Sequence, residues 1–342
     1  MSTHTLLIER TRGGADAAAD VVECQHYGSI AVVDTAGRLV ASAGDPGALT
    51  FARSSLKPFQ ALPFMRAGGP GHFDLQARHL ALLCASHSGE SGHLAAVSDI
   101  LERAGCQVAE LQCGCHVPLA YTLPGADVPP GFRPTALHHN CSGKHSGFLA
   151  YCAQHGLPRH NYLHADHPLQ TAIRTELAQA CGVDAAALRQ GIDGCSAPTY
   201  ALPLSALALG YGRLATAEPG GAGQSASLHA LYRAMVGHPF LVSGSQRSDL
   251  ALMSAAPGDW VTKTGADGVQ GIGVRSQGLG IAVKVSDGNM AAVYAAAIEA
   301  MRQLGLCNGT EDSLRAWARP PIANAAGLRT GAVRPAFELR RH

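Results

Sequence analysis

The sequence predicts an α+β protein: one antiparallel sheet built from both chain ends and flanked by helices, with a mostly helical segment inserted between them. Three observations predict it. Strand patterns gather at the two ends, in "HYGSIAVVDTAGRLVASAGDP" near the start and in "DWVTKTG" and "VQGIGVRSQGLGIAVKVSDG" near the finish. From about 70 to 255, apolar residues recur at helical spacing instead. With 342 residues, 46% of them apolar and 15% charged, the protein can bury a sizeable core. The boundaries that follow are 1–69 and 256–342 for the sheet part and 70–255 for the helical insertion, all within one domain over 1–342.

The elements follow in order. Ile30 to Val33 is a β-branched run, "DTAGR" is a turn, and "LVASA" resumes the strand, which makes a hairpin. A helix is expected from 54 to about 67, with Pro58 tolerated in its first turn. Further helices are expected over 74–85, 91–104, 146–154, 168–181, 200–214, 225–236 and 246–254, separated by loops such as "ATAEPGGAGQ". A strand follows at "DWVTKTG", then a hairpin turning at Ser276–Gly278, then the helix "NMAAVYAAAIEAMRQLG". The last forty residues are rich in Pro and Ala and give no clear period.

Charge excludes some function classes. The net charge is +1 with no basic block, which argues against nucleic acid and anionic membrane surfaces as partners. The N-terminus lacks the pattern of a secretory signal, and no apolar run reaches the length of a membrane span. Ten cysteines in that setting read as reduced thiols, so a cytoplasmic location is expected.

Lysine is scarce: four residues, at 57, 144, 263 and 284, stand against twenty-two arginines. A GC-rich genome explains a bias toward Arg, and that bland cause gives weight to the exceptions. Arg keeps its proton, whereas buried Lys can lose it. Lys57 follows Ser54 by three positions in "ARSSLKPFQ", so on a helix the two share a face. A neutral amine there could take the hydroxyl proton, at a cost of roughly 4–5 kcal/mol for bringing its pKa near 7. Alone, Ser-x-x-Lys is a weak signal. Lys263-Thr264-Gly265 on a late strand adds the second half of the pairing found in penicillin-recognising serine hydrolases. Ser86, in the loop "CASHSGES", stands where such enzymes place a further serine; alone it would read as a helix cap, and the other two motifs favour function.

The third lysine lies in "HHNCSGKHSG", with Cys141 and Lys144 again three apart, and Cys195 follows in "GIDGCSAPT". A His and Cys cluster suits zinc; ordinary buried thiols and a surface lysine suit the same residues equally well. Cys113, Cys115 and His116 form a rival ligand set, with a Cys spacing short for a chelate. Lys284 alternates with apolar neighbours and reads as a solvated strand residue. "SDGN" at 286–289 reads as a turn and helix cap.

Taken together, "ARSSLKPFQ", "CASHSGE", "HHNCSGKHSG", "DGCSAPT" and "KTGADG" resemble the asparaginase II family, the Rhizobium etli type of L-asparaginase, from about 5 to 335. The resemblance implies a serine β-lactamase-like fold and a hydrolase converting L-asparagine and water to L-aspartate and ammonia. It implies Ser54 as nucleophile, Lys57 as adjacent base, and Ser86 and Lys263 as a second Ser-Lys tandem. Cys141, Lys144 and Cys195 match its zinc ligands, and Arg53, His145 and Asp193 fall near substrate or metal. A homodimer is implied as well. Two other readings remain open: a β-lactamase or penicillin-binding-like hydrolase, and a non-catalytic zinc- or amino-acid-binding protein on the same scaffold.

Overall fold

A computed structural model describes residues 4–14, 16–123 and 125–342. Both chain ends do enter one sheet. The N-terminal part supplies β1 (Thr5–Arg12), β2 (Val21–Asp34) and β3 (Leu39–Ala43), and a short β4 (Leu49–Phe51) follows. The middle supplies β5 (Arg189–Ile192) and β6 (Pro198–Pro203). The C-terminal part supplies β7 (Trp260–Gly265), β8 (Val269–Val274), β9 (Leu279–Val285), β10 (Pro321–Ala323), β11 (Arg329–Pro335) and β12 (Arg340–Arg341). Among the described residues, a nine-stranded antiparallel sheet runs β10-β11-β1-β2-β9-β8-β7, with β3 beside β2 and β12 beside β3. β2 and β9 pair from Gly28–Val285 to Asp34–Leu279, which joins the two chain ends at the sheet centre.

Strand alternation divides the core between two faces. Ile30 and Val32 of β2 pack with Ile281 and Val283 of β9 beneath the helix Met290–Gln303. Ala31 and Val33 turn to the opposite face, into the core that holds the helix Leu204–Thr216. That helix lies close on the sheet. A Cβ at Gly280 would stand 1.8 Å from the carbonyl oxygen of Ala208, so only glycine permits the approach. The result is three layers, with further helices beyond the Leu204–Thr216 face.

Helices make up most of the stretch 70–255, and two elements of the protein differ from the sequence expectation. Residues 198–203 are strand β6 rather than the start of a helix, and β4-β6-β5 form a second, three-stranded sheet. The expected helix over 54–67 is three pieces: a 3₁₀ turn Arg53–Leu56, then Lys57–Gln60, then Leu62–Arg66. Pro58 and Pro63 each open a new piece, because neither can donate a backbone hydrogen bond to a continuing helix. No helix among the described residues is long and apolar enough to cross a membrane.

Candidate active site

The 3₁₀ turn, the end of β7 and the loop 84–90 meet below the second sheet. Gly265 allows the first contact: a Cβ there would lie 2.5 Å from the carbonyl oxygen of Ala52. The turn is fixed by Ser55 Oγ donating to Ala52 O at 2.6 Å and by Tyr211 OH donating to Ser55 O at 2.6 Å. Arg53, just before Ser54, has φ +53°, a left-handed conformation unusual for a residue with a side chain. Its guanidinium is held by Asp193 (Nε to Oδ1, 2.8 Å) and by Asp267, which is itself left-handed. The strain and the ion pairs thus fix Arg53 immediately before Ser54. Ser54 is half-buried, and its hydroxyl has no hydrogen-bond partner among the described residues.

Lys57 is fully buried, and its amine bonds to the loop 84–90. Nζ donates to Ser86 Oγ at 2.9 Å and to the carbonyl of Ala85. The Ser-Lys hydrogen bond in this structure is therefore Lys57–Ser86 and not Lys57–Ser54. The loop that presents Ser86 is pinned from both sides: Ser86 N donates to Val242 O at 2.9 Å, and His87 N donates to Asn140 O at 3.2 Å.

Lys263 is also fully buried. Nζ donates to Thr264 O at 2.7 Å and stands 3.6 Å from Asp249 Oδ2. Burial lowers its pKa to about 7; Asp249 acts the other way, and the Lys57 charge adds to the lowering. Asp249 is a residue that motif reasoning missed. Thr262 Oγ1, Gln270 Nε2 and Thr264 N all donate to its carboxylate, so it also fixes the register of β7. An Asp in the first turn of the helix Ser248–Ala255 looks in sequence like an ordinary helix-start acid.

The Cys/Lys group assembles at the start of the helix Ser142–Gln154. Lys144 Nζ donates to Cys195 Sγ at 3.1 Å, and Cys141 Sγ donates to Asn140 Oδ1 at 3.7 Å. Cys141, then Lys144 and His145, hold the Cys195 thiol far below its usual range despite burial. Burial acts to lower the Lys144 pKa, but the Cys195 sulfur, with Cys141 and Asp193, more than offsets this and raises it. His145 Nδ1 shares a 2.7 Å hydrogen bond with Tyr162 OH, while its buried Nε2 has no hydrogen-bond partner among the described residues. Asp193 links the two groups through Arg53. The rival set is not assembled: Cys113 is buried, Cys115 is exposed, and His116 bonds to the 117 carbonyl and to Asn140.

No group of three or more His, Cys, Asp and Glu side chains among the described residues could hold a metal. The expected ligand set has only two such residues, its third donor being the Lys144 amine. Lys284, expected to be solvated, is half-buried on β9 and donates to the carbonyl oxygen of Asp267. All four lysines thus surround one region.

The family profile described as L-asparaginase II matches residues 11–335. The chain belongs to the L-asparaginase II family. No curated protein matches the sequence. Solved structures of Mglu are similar: the native form at 16% identity and TM-score 0.39, covering 84% of this chain and 66% of that one. The glutamate form follows at 15% and 0.38, covering 83% and 62%. This member of the L-asparaginase II family spans under two thirds of the length of those proteins, and a likeness of this size carries no argument.

Proposed function

We propose that this protein is an L-asparaginase that hydrolyses the side-chain amide of L-asparagine through Ser54, on a serine β-lactamase-like scaffold whose one catalytic domain carries 70–255 as an insertion. The observation that supports it most is the buried Lys57–Ser86 hydrogen bond, with the Lys263 amine, lowered by burial to about 7, near enough to feel the Lys57 charge. Ser54 Oγ attacks the amide carbon, and its proton passes to whichever amine of the Lys57–Ser86–Lys263 group is neutral. At neutral pH Lys263 supplies a substantial neutral fraction. Ser86, held by Lys57, stands on the path by which a proton reaches the departing ammonia. Water then cleaves the acyl-enzyme.

The donors Cys141, Lys144 and Cys195 fit zinc chemically: two sulfurs and one nitrogen, buried together, with an unpartnered His145 Nε2. Zinc there would supply a Lewis-acidic anchor for the α-amino or α-carboxylate group of the substrate. Arg53 and Asp193 place that group relative to Ser54.

Ammonia release from L-asparagine, L-glutamine and a β-lactam control, with metal content measured on the same sample, tests the reading. Release from asparagine that disappears in Ser54→Ala supports it. Equal release by both proteins sinks it.

A further inference from the structure

A cavity of about 440 Å³ opens directly beside Arg53, between the second sheet and the turn at Asp267. Its volume falls in the range of small-molecule sites. Leu49 and Phe51 of β4 line one wall and are 60% and 45% exposed, and Ile192, at the end of β5, is 83% exposed. Three large apolar side groups therefore face solvent together at the edge of the site.

The charges at this mouth cancel. Arg53 is paired with Asp193 and with Asp267, while Lys284 is held by the carbonyl oxygen of Asp267. Two cations face two carboxylates, so a second free carboxylate arriving here meets cations already taken. An uncharged, partly apolar group meets no such cost. One polar atom is left over. Thr199 lines the cavity, is 3% exposed, and its Oγ1 has no hydrogen-bond partner among the described residues. It is paired across the ladder with Gly191, whose missing side chain leaves room for the Phe51 ring; a Cβ there would stand 2.9 Å from it. A buried hydroxyl without a partner is unfavourable, and a ligand carbonyl or N–H can satisfy it.

We propose that this cavity extends the active site and receives an apolar residue linked by a peptide bond to the α-carboxyl of the substrate asparagine, so that the enzyme deamidates asparaginyl dipeptides with an apolar second residue. This rests on the amide-hydrolysing reading of Ser54. The C–N bond of the asparagine amide breaks, water supplies the new C–O bond, ammonia leaves, and the peptide bond is untouched. Thr199 Oγ1 meets the peptide group, and the second residue lies on Leu49 and Phe51.

The test is kcat/KM for ammonia release from L-asparagine, asparaginyl-glycine and asparaginyl-leucine, in the native protein and in Phe51→Ser and Leu49→Ser. Native protein prefers the leucine dipeptide to the glycine dipeptide by ~10-fold or more, the effect of burying a leucine side chain. Each variant loses most of that preference while its asparagine turnover is unchanged. No preference in the native protein overturns the proposal, and so does a variant in which asparagine turnover falls in step. Absence of ammonia from all three compounds defeats the reading of Ser54 itself. Turnover of asparagine alone leaves that reading intact and defeats only the extension.

Discussion

Lys263 and Lys144 are buried to almost the same depth, 0% and 3% exposed, yet their pKa values move in opposite directions. Each loses its hydration, which by itself favours the neutral amine. The difference lies in the neighbours. Lys144 donates directly to the Cys195 sulfur, with Cys141 on the other side, so its charge is matched at contact distance. Lys263 faces one carboxylate at 3.6 Å, and three other donors already occupy that carboxylate. Asp249 is thus partly spent before Lys263 reaches it. Burial sets how much a lysine can be perturbed, and the competition for its counter-charge sets the sign.

The largest test asks whether the pocket with the low-pKa amine is the one that reacts. Ser54→Ala should lower kcat for ammonia release by roughly 10³-fold or more, with melting temperature unchanged. A variant that stays active would detach the Lys263 pocket from the chemistry.

Next comes the stability contrast between the two lysines. In metal-free protein, Lys144→Met leaves the Cys195 sulfur charged and without its cation, and should cost roughly 3–5 kcal/mol by urea unfolding. Lys263→Met removes an ammonium that its surroundings disfavour, and should change stability by about 1 kcal/mol at most. Equal losses would erase the distinction. Smaller again is Gly265→Ala, whose Cβ must displace the Ala52 carbonyl; about 1–3 kcal/mol and a lower kcat are expected.

The finest test is pH. The unfolded chain holds the Lys263 proton up to its ordinary value of 10.5, whereas the folded protein releases it near 7. Between those values the unfolded state binds more protons, so this group makes stability rise with pH; below 7 its full penalty applies. Activity should gain a rising limb centred near pH 7. Asp249→Asn removes the charge that props the amine up, so the limb should move to lower pH. A limb that stays put, followed in kcat/KM across the neutral range, would show that another group titrates there.

Much of this was readable in advance. The hairpin from Ile30 through Leu39, the strand Trp260–Gly265 and the helix Met290–Gln303 follow from local patterns that tertiary structure did not override. Lys57 and Ser86 were legible as candidates because lysine is rare here. Their partnership was not, since it depends on where the loop 84–90 is pinned, by backbone bonds to Val242 and Asn140 that no motif records. The helix expected after Ser54 breaks because Pro63, like Pro58, opens a new piece and cannot donate into the preceding one. Lys284 reads as solvated by strand alternation alone; only the turn at Asp267, folding back over β9, makes it part of the site's edge. Asp249 carries no sequence signal, because its role comes from three donors on two other strands.

The sheet that joins β2 to β9 also dictates a sequence of assembly. On a ribosome, the Ser54 turn and the loop with Ser86 emerge long before β7, so Lys57 waits with its serine while the central strand lacks a neighbour on one side. Only when the segment from β7 to β9 is released can β9 zip onto β2 and carry Lys263 into place. A polypeptide truncated before β7 therefore lacks both Lys263 and the strand that pairs with β2 at the sheet centre.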